Sequence, residues 1–333
     1  MTTTREIHLV GRPSGAPTPD LFQITQVELP DPAPGEVQVR NRWISVDPYM
    51  RGKMNPGGPA PYGLGTAMAG RAVGEVTASN AQGLAVGDWV FGDYGWREGY
   101  NAPADKLEKL TLHGLPPHAF LSGAGAPGLT AYSGLLRTAE MKPGDVVFVS
   151  AAAGAVGSMA CQIAKLRGHT VVGSAGGERK LRFLVDELKI DAAIDYKQAQ
   201  GSLAQALRHA APSGIDVYFE NVGGEHLEAA IDCAKPGGRV AICGMVSTYN
   251  AATPPPGPRN LMQSIGKGLT LRGFNVSQHM DMRGEFLAEV AAWHAQGKLR
   301  LTETVAEGLE AAPDAFIGLF RGENLGKMLV RVG

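Results

Sequence analysis

Cysteine is scarce in this chain: three among 333 residues, Cys161, Cys233 and Cys243. They are odd in number, far apart, and form no Cys-x-x-Cys pair. Neither a disulfide framework nor a tetrahedral zinc site of sensible spacing can be assembled from them, so the expectation is a reducing compartment, the cytoplasm, and no metal. An excess of either charge is also missing: 31 Lys and Arg stand against 32 Asp and Glu, a formal net charge of −1. That removes any general attraction to nucleic acid or an acidic membrane surface. Long apolar runs are absent; the longest small-apolar stretch, Ala151 to Ala164, is too short and too interrupted by glycine to span a bilayer. The first residues, Met-Thr-Thr-Thr-Arg-Glu, contain no apolar h-region, so no secretory signal is expected. No internal repeat or low-complexity segment is visible. What remains is an ordinary soluble chain, long enough for two domains with substantial cores.

What the chain does contain is Asp145-Val-Val-Phe-Val-Ser-Ala-Ala-Ala-Gly-Ala-Val-Gly157. Its first half is an apolar, β-branched run suited to a buried strand. A tight turn with Gly154 and Gly157 follows, then an alanine-rich helical segment, Ser158 to Arg167, closed by Gly168 as a C-cap. A second strand, Thr170-Val-Val-Gly-Ser174, completes a βαβ unit. Strand, glycine turn and helix start aim backbone N–H groups and the positive dipole end at one point, which favours a pyrophosphate. The first glycine of Gly-x-Gly-x-x-Gly is Ala152 here, and small residues also serve plain helix–strand packing; the strand–turn–helix context favours a dinucleotide. An NAD site wants a carboxylate about 20 residues on, for the ribose diol. His169 to Gly177 holds no Asp or Glu, whereas Ser174, Gly176, Gly177, Arg179 and Lys180 follow. This composition suits the 2′-phosphate of NADP; the bland alternative is a solvated helix face balanced by Glu178.

From residue 1 to about 122 the pattern is short strands punctuated by Pro30, Pro32, Pro34-Gly35, Pro56-Gly57-Gly58, Pro59 and Pro61, an irregular β domain. From 123 to 293 strand and helix alternate. Strands are expected at Ala192–Tyr196, Ile215–Glu220, Gly238–Cys243 and Leu269–Phe274, and helices at Glu178–Leu188, Ser202–Ala211, Glu225–Ala234 and Met282–Gln296. That alternation describes a doubly wound parallel sheet. Residues 294–333, with a short helix near Asp314–Arg321 and a strand at Lys327–Val332, are expected to return to the first domain. Pro254-Pro-Pro-Gly-Pro258 reads as a stiff loop.

Seven separated strings, in order over nearly the whole chain, resemble a known family. They are Val46-Asp-Pro-Tyr-Met-Arg51, Pro127-Gly-Leu-Thr-Ala-Tyr132, Ala151 to Ser158, Glu220-Asn-Val-Gly-Gly224, Cys243-Gly-Met-Val-Ser-Thr-Tyr-Asn250, Pro254 to Pro258 and Asn324-Leu-Gly-Lys327. The chain is similar to the zinc-free medium-chain dehydrogenase/reductases that reduce alkenal, prostaglandin and curcumin double bonds with NADPH. Gly11-Arg-Pro-Ser-Gly-Ala-Pro17 most resembles the bacterial curcumin-reductase branch. The fold implied is α/β: a doubly wound Rossmann-type parallel sheet plus an irregular β-barrel-like (GroES-like) catalytic domain. Zinc-dependent relatives need a Cys in the segment matching Ser45-Val-Asp47 and a His-Glu pair at Gly70-Arg71, and neither stands here.

Without a Lewis acid, conjugate reduction is the chemistry that fits. Hydride from NADPH reaches the β-carbon of an enone or enal, an enolate forms, and a hydrogen-bond donor and a proton are needed. A neutral tyrosine suits the donor role. The resemblance implies that Tyr249 touches the nicotinamide ribose, either relaying a proton or only holding the sugar, and that Tyr49 lies near the substrate, with a core aromatic as its bland alternative. It further implies cofactor contacts from Gly154, Ala155, Val156 and Gly157 at the pyrophosphate. Lys180 and Tyr196 match its 2′-phosphate residues, with Ser174 an added donor. Asn221, the loop Cys243, Gly244, Met245, Val246, Ser247, Thr248 and Tyr249, the segment Phe274, Asn275 and Val276, and Asn324 complete the set. Tyr62 and Tyr94 are candidate pocket walls, whereas Trp96 suits a core. Ala126, where relatives often carry Met, leaves substrate size open. A quinone reductase of the same superfamily and a non-catalytic NADPH sensor are the competing readings. A homodimer paired through Leu269–Phe274 is expected.

Overall fold

The computed structural model describes residues 2–58, 60–198 and 201–333. Pro59, one of the punctuating prolines, lies outside the described residues. The chain divides into two compact units, one of Met1–Leu121, Glu303–Asn324 and Met328–Gly333, the other of Ser122–Thr302 and Leu325–Lys327.

In the first unit, β1 (Thr2–Leu9) and β2 (Phe22–Leu29) pair antiparallel. β3 (Glu36–Ser45) is followed by the short helix α1 (Met50–Lys53), β4 (Ala72–Ser79), β5 (Trp89–Gly92), β6 (Gly99–Pro103) and β7 (Glu108–Lys109). The period-two alternation of Glu36–Ser45 puts Val37 and Val39 inside, as a strand with one covered face requires.

The second unit runs α2 (Ala126–Ser133), β8 (Val146–Val149), α3 (Ala155–Leu166), β9 (Thr170–Ala175), α4 (Glu178–Arg182), β10 (Ala192–Asp195), α5 (Leu203–Ala210), β11 (Ile215–Glu220), α6 (Glu225–Cys233), β12 (Ala234–Ile242), α7 (Gln263–Lys267), β13 (Thr270–Gly273) and α8 (Arg283–Ala295). β14 (Glu303–Glu307), α9 (Ala312–Arg321) and β15 (Lys327–Arg331) follow. β14 and β15 join the antiparallel sheet, ordered β14-β15-β3-β4-β5-β7 with β6 on β3.

The second unit's sheet is parallel throughout, in the order β10-β9-β8-β11-β12-β13. Strand order reverses between β8 and β11, and a doubly wound sheet opens its crevice at the carboxyl ends of such strands. The α/β class with a separate antiparallel sheet is therefore as expected. Phe148 of β8 stacks on Tyr218 of β11, ring centroids 5.0 Å apart, inside the core. Truncating such a ring costs about 3–5 kcal/mol.

Two elements differ from expectation. The helix expected over Glu178–Leu188 is α4 followed by a wider π-turn, Phe183–Glu187. The extra residue per turn lets Phe183 and Leu184 both face the core. β12 begins at Ala234, before the expected Gly238, because Ala234 pairs with Ile215 ahead of a register shift that brings Arg239 opposite Val217.

Candidate cofactor site and its relatives

The ends of β8, β9, β10 and β11 build the site in the second unit. After β8, Ser150 is buried and the chain turns so tightly that a Cβ on Gly157 would lie 2.3 Å from the Ala151 carbonyl oxygen. Only glycine fits there. Gly154 is the N-cap of α3, and Ser158 N–H is the first to bond back, to the Gly154 carbonyl at 2.9 Å. Ala155, Val156 and Gly157 thus present N–H groups with no intrahelical acceptor, together with the helix dipole.

At the ends of β9 and β10 lies a basic group. A Cβ on Gly176 would meet Lys197 Cε at 2.7 Å and Tyr196 at 3.2 Å, so both side chains lie over that glycine. Lys180 loses proton affinity, first through desolvation and then through the like charges of Lys197 and Arg179. Glu178, the counter-charge of the bland alternative, lies 3.7 Å from Arg182. Asp195 is engaged by the backbone, accepting from Gly177 N–H (3.2 Å) and Lys197 N–H (3.0 Å). Tyr196 meets His226 edge-on, centroids 5.1 Å apart. Ser174, expected as a phosphate donor, is 0% exposed, and its hydroxyl has no partner among the described residues. It belongs to the strand interior.

The last end joins β11 to β12. Asn221 donates its side-chain amide to the Ser150 carbonyl (2.7 Å), so it ties two strand ends together rather than projecting outward. Cys243 and Gly244 N–H both donate to the Glu220 carbonyl, at 2.9 and 3.1 Å. A 3₁₀ turn, Val246–Thr248, follows, fastened by Thr248 Oγ1 to the Met245 carbonyl and Ser247 N–H to that of Val222. It returns Tyr249 over Gly244, where a Cβ would lie 3.0 Å from the phenol oxygen. Burial holds the Tyr249 phenol above its ordinary pKa, so it is a donor at neutral pH. Burial, aided by the Glu220 charge, pushes the Cys243 thiol up to about 12. Phe274 N–H bonds to the Ile242 carbonyl (3.3 Å) and its ring meets Phe219 edge-on. Asn275 caps the following turn with its side chain, accepting from Ser277 N–H at 3.0 Å, with Val276 opening that turn.

In the first unit, Tyr49 is 42% exposed at the turn into α1 and is not a core ring. Desolvation, then the Asp47 carboxylate, raises its phenol pKa against the opposing pull of Arg71. Tyr62, expected as a pocket wall, is instead part of the core: 6% exposed, its hydroxyl donated to the Ala69 carbonyl at 2.8 Å. Tyr94 is half-buried and stacked on Tyr100, centroids 4.4 Å apart. Trp96 is fully buried against Phe22. Asn324 is buried in this unit.

Residues 5–110 match the sequence family described as the N-terminal domain of oxidoreductase, and residues 155–292 match zinc-binding dehydrogenase. The NADPH-dependent curcumin reductase of Escherichia coli (strain K12) is 39% identical, over 97% of this chain and 95% of that protein. Prostaglandin reductase 1 of Bos taurus is 41% identical, over 98% of each. The crystal structure of CurA from Vibrio vulnificus in complex with NADPH superposes with a TM-score of 0.92 at 41% identity, covering 99% of both chains. This chain belongs to the medium-chain dehydrogenase/reductase family of alkenal, prostaglandin and curcumin reductases.

Three parts of this reductase's site escape a sequence reading. Lys197 follows directly on Tyr196, and a cation next to that tyrosine was the available signal. Glu220 directly follows the apolar stretch Val217-Tyr-Phe219, where an acid is out of character. Gly326, of the returning segment in this unit, donates its N–H to the Ala153 carbonyl at 2.8 Å, bracing the glycine turn from outside. Nothing local in the sequence signals that long-range contact.

Proposed function

We propose that this reductase uses NADPH to reduce the C=C bond of α,β-unsaturated aldehydes and ketones. The observation that carries the reading is the basic group of Lys180, Lys197 and Arg179, whose mutual repulsion a 2′-phosphate would relieve. The N–H groups in the first turn of α3, which have no acceptor within the helix, favour the pyrophosphate of the same ligand. The names of the curcumin and prostaglandin reductases, and the NADPH of the CurA complex, point the same way.

When bound, NADPH supplies the hydride. The chain binds, orients and polarises. Tyr249, kept protonated by burial, donates a hydrogen bond, either to the ribose or to the oxygen on which enolate charge develops. Tyr49, exposed and likewise protonated, is assigned to the substrate pocket, with Tyr94 as a wall. Among the described residues no group of three His, Cys, Asp or Glu side chains could hold a metal. Ser45 Oγ is bonded to the Asp47 carboxylate where zinc relatives place ligands. Zinc independence is part of this proposal. A cytoplasmic location belongs to it, supported by three free cysteines. Among the described residues no helix is long and apolar enough to cross a membrane.

A homodimer is part of the same proposal. β13 is the outer strand of its sheet, and next to it Leu261, Met262 and Ile265 are 46%, 81% and 81% exposed. Ile265→Asp is expected to halve the mass seen by light scattering; an unchanged mass would count against that surface.

The deciding experiment is NADPH oxidation with a simple enone, the product identified by mass spectrometry. A saturated ketone is expected. An allylic alcohol, or no turnover, would overturn the proposal, and turnover of quinones alone would make this a quinone reductase.

A further inference from the structure

Glu220 is 0% exposed at the carboxyl end of β11, beside the point where strand order reverses. Four donors converge on its Oε1: Tyr218 Oη at 2.7 Å, Ser150 Oγ at 3.1 Å, Val222 N–H at 2.6 Å and Gly223 N–H at 2.9 Å. Its Oε2 is buried and has no partner among the described residues. The same residue's carbonyl accepts Cys243 and Gly244 N–H. The two loops so held are stitched to each other by Val246 N–H to the Asn221 carbonyl at 3.0 Å and Ser247 N–H to the Val222 carbonyl at 3.1 Å.

A carboxylate is an expensive group to bury, and the packing of β11 does not ask for one. What asks for it is the turn. Gly223 and Gly224 sit at φ 79° and 53°, turning the chain out of the sheet, where the N–H groups of Val222 and Gly223 have no strand partner. A carboxylate oxygen, with its charge and open lone pairs, accepts several donors at once. A neutral amide oxygen does so less well, and its NH₂ would stand at the unpartnered Oε2 position with no acceptor.

We infer that Glu220 is a positioning residue for the dinucleotide: its buried carboxylate shapes the Val222–Gly224 turn, and its main chain transmits that shape to the Cys243–Tyr249 loop. This rests on the proposed cofactor reading.

The test compares the unmodified protein with Glu220→Gln and Tyr218→Phe, by amide hydrogen exchange without cofactor, NADPH affinity from fluorescence titration, and steady-state kinetics. Glu220→Gln is expected to speed exchange about tenfold in segments 221–224 and 243–249, and to weaken NADPH about tenfold, with kcat within about threefold. Tyr218→Phe removes one donor without touching either loop; exchange and affinity stay within about twofold. Should Glu220→Gln fail to fold, Glu220→Asp keeps the charge but is one methylene shorter, and the same loop-confined exchange is expected. Unchanged exchange and affinity in the Gln variant, or equal losses in Tyr218→Phe, would overturn the inference. An unmodified protein without NADPH affinity would instead overturn the cofactor reading itself.

Discussion

Lys197 lies across Gly176, its Cε 2.7 Å from where a Cβ on that glycine would stand. That places a second ammonium near Lys180, whose proton affinity is lowered first by burial and then by the charges of Lys197 and Arg179. Two cations held together against desolvation suit the 2′-phosphate dianion of the proposed cofactor.

Lys180→Ala should therefore weaken NADPH by about one to two decades, the range of a lost charge-assisted hydrogen bond, while leaving NADH nearly unchanged. Lys197→Ala should do the same more weakly, because it also relieves Lys180. Fluorescence titration with both cofactors checks this. Equal losses for NADPH and NADH would remove the 2′-phosphate assignment.

Tyr249→Phe keeps the ring over Gly244 but deletes the donor. A drop in kcat of about one to two decades is expected, with the KM for NADPH little changed. Turnover at the original rate would reduce Tyr249 to a spacer.

Gly326 sits at φ 62°, and a Cβ there would lie 1.9 Å from the Thr302 carbonyl oxygen. Gly326→Ala must move backbone, at a cost of about 2–3 kcal/mol or more, and should loosen the glycine turn through Ala153. Gly237→Ala is the control: φ is 75° but nothing lies within 4 Å, so only about 1 kcal/mol of backbone strain is expected. Denaturant midpoints of the two variants separate crowding from strain.

His226 is 5% exposed, and burial lowers its pKa to about 4 from an ordinary 6.5. Between these values the unfolded chain binds the proton and the folded one does not. Its contribution is complete above pH 6.5 and is lost as pH falls toward 4, by up to about 3 kcal/mol. His226→Phe keeps an aromatic edge toward Tyr196 and should flatten that acid limb. A limb of unchanged slope would assign acid sensitivity to other groups.

The local parts of this site are legible because their physics is local. An apolar run, two glycines and an alanine-rich segment specify β8, its turn and α3 within a few residues. Lys180 is proposed from the composition that follows the second strand, and Tyr196 from the family resemblance alone. Tyr62 misleads as a pocket wall: its loop is rich in Pro and Gly and reads as surface, yet Arg12 holds the Tyr62 carbonyl at 2.6 Å and packing draws the ring into the core.

By itself, then, the sequence determined the alternation of strand and helix, the glycine turn between β8 and α3, the cationic character of the second strand's end and the family. Tertiary structure decided which polar groups face outward and which are consumed inside. Parallel pairing brings β8 and β11 side by side, so Ser150 meets Glu220 and Asn221 across some seventy residues of chain. Register in a parallel sheet is set by packing on both faces and by crossover helices. No window of sequence contains that information, which is why Ser174 reads as a ligand and is buried, while Glu220 and Lys197 receive no role.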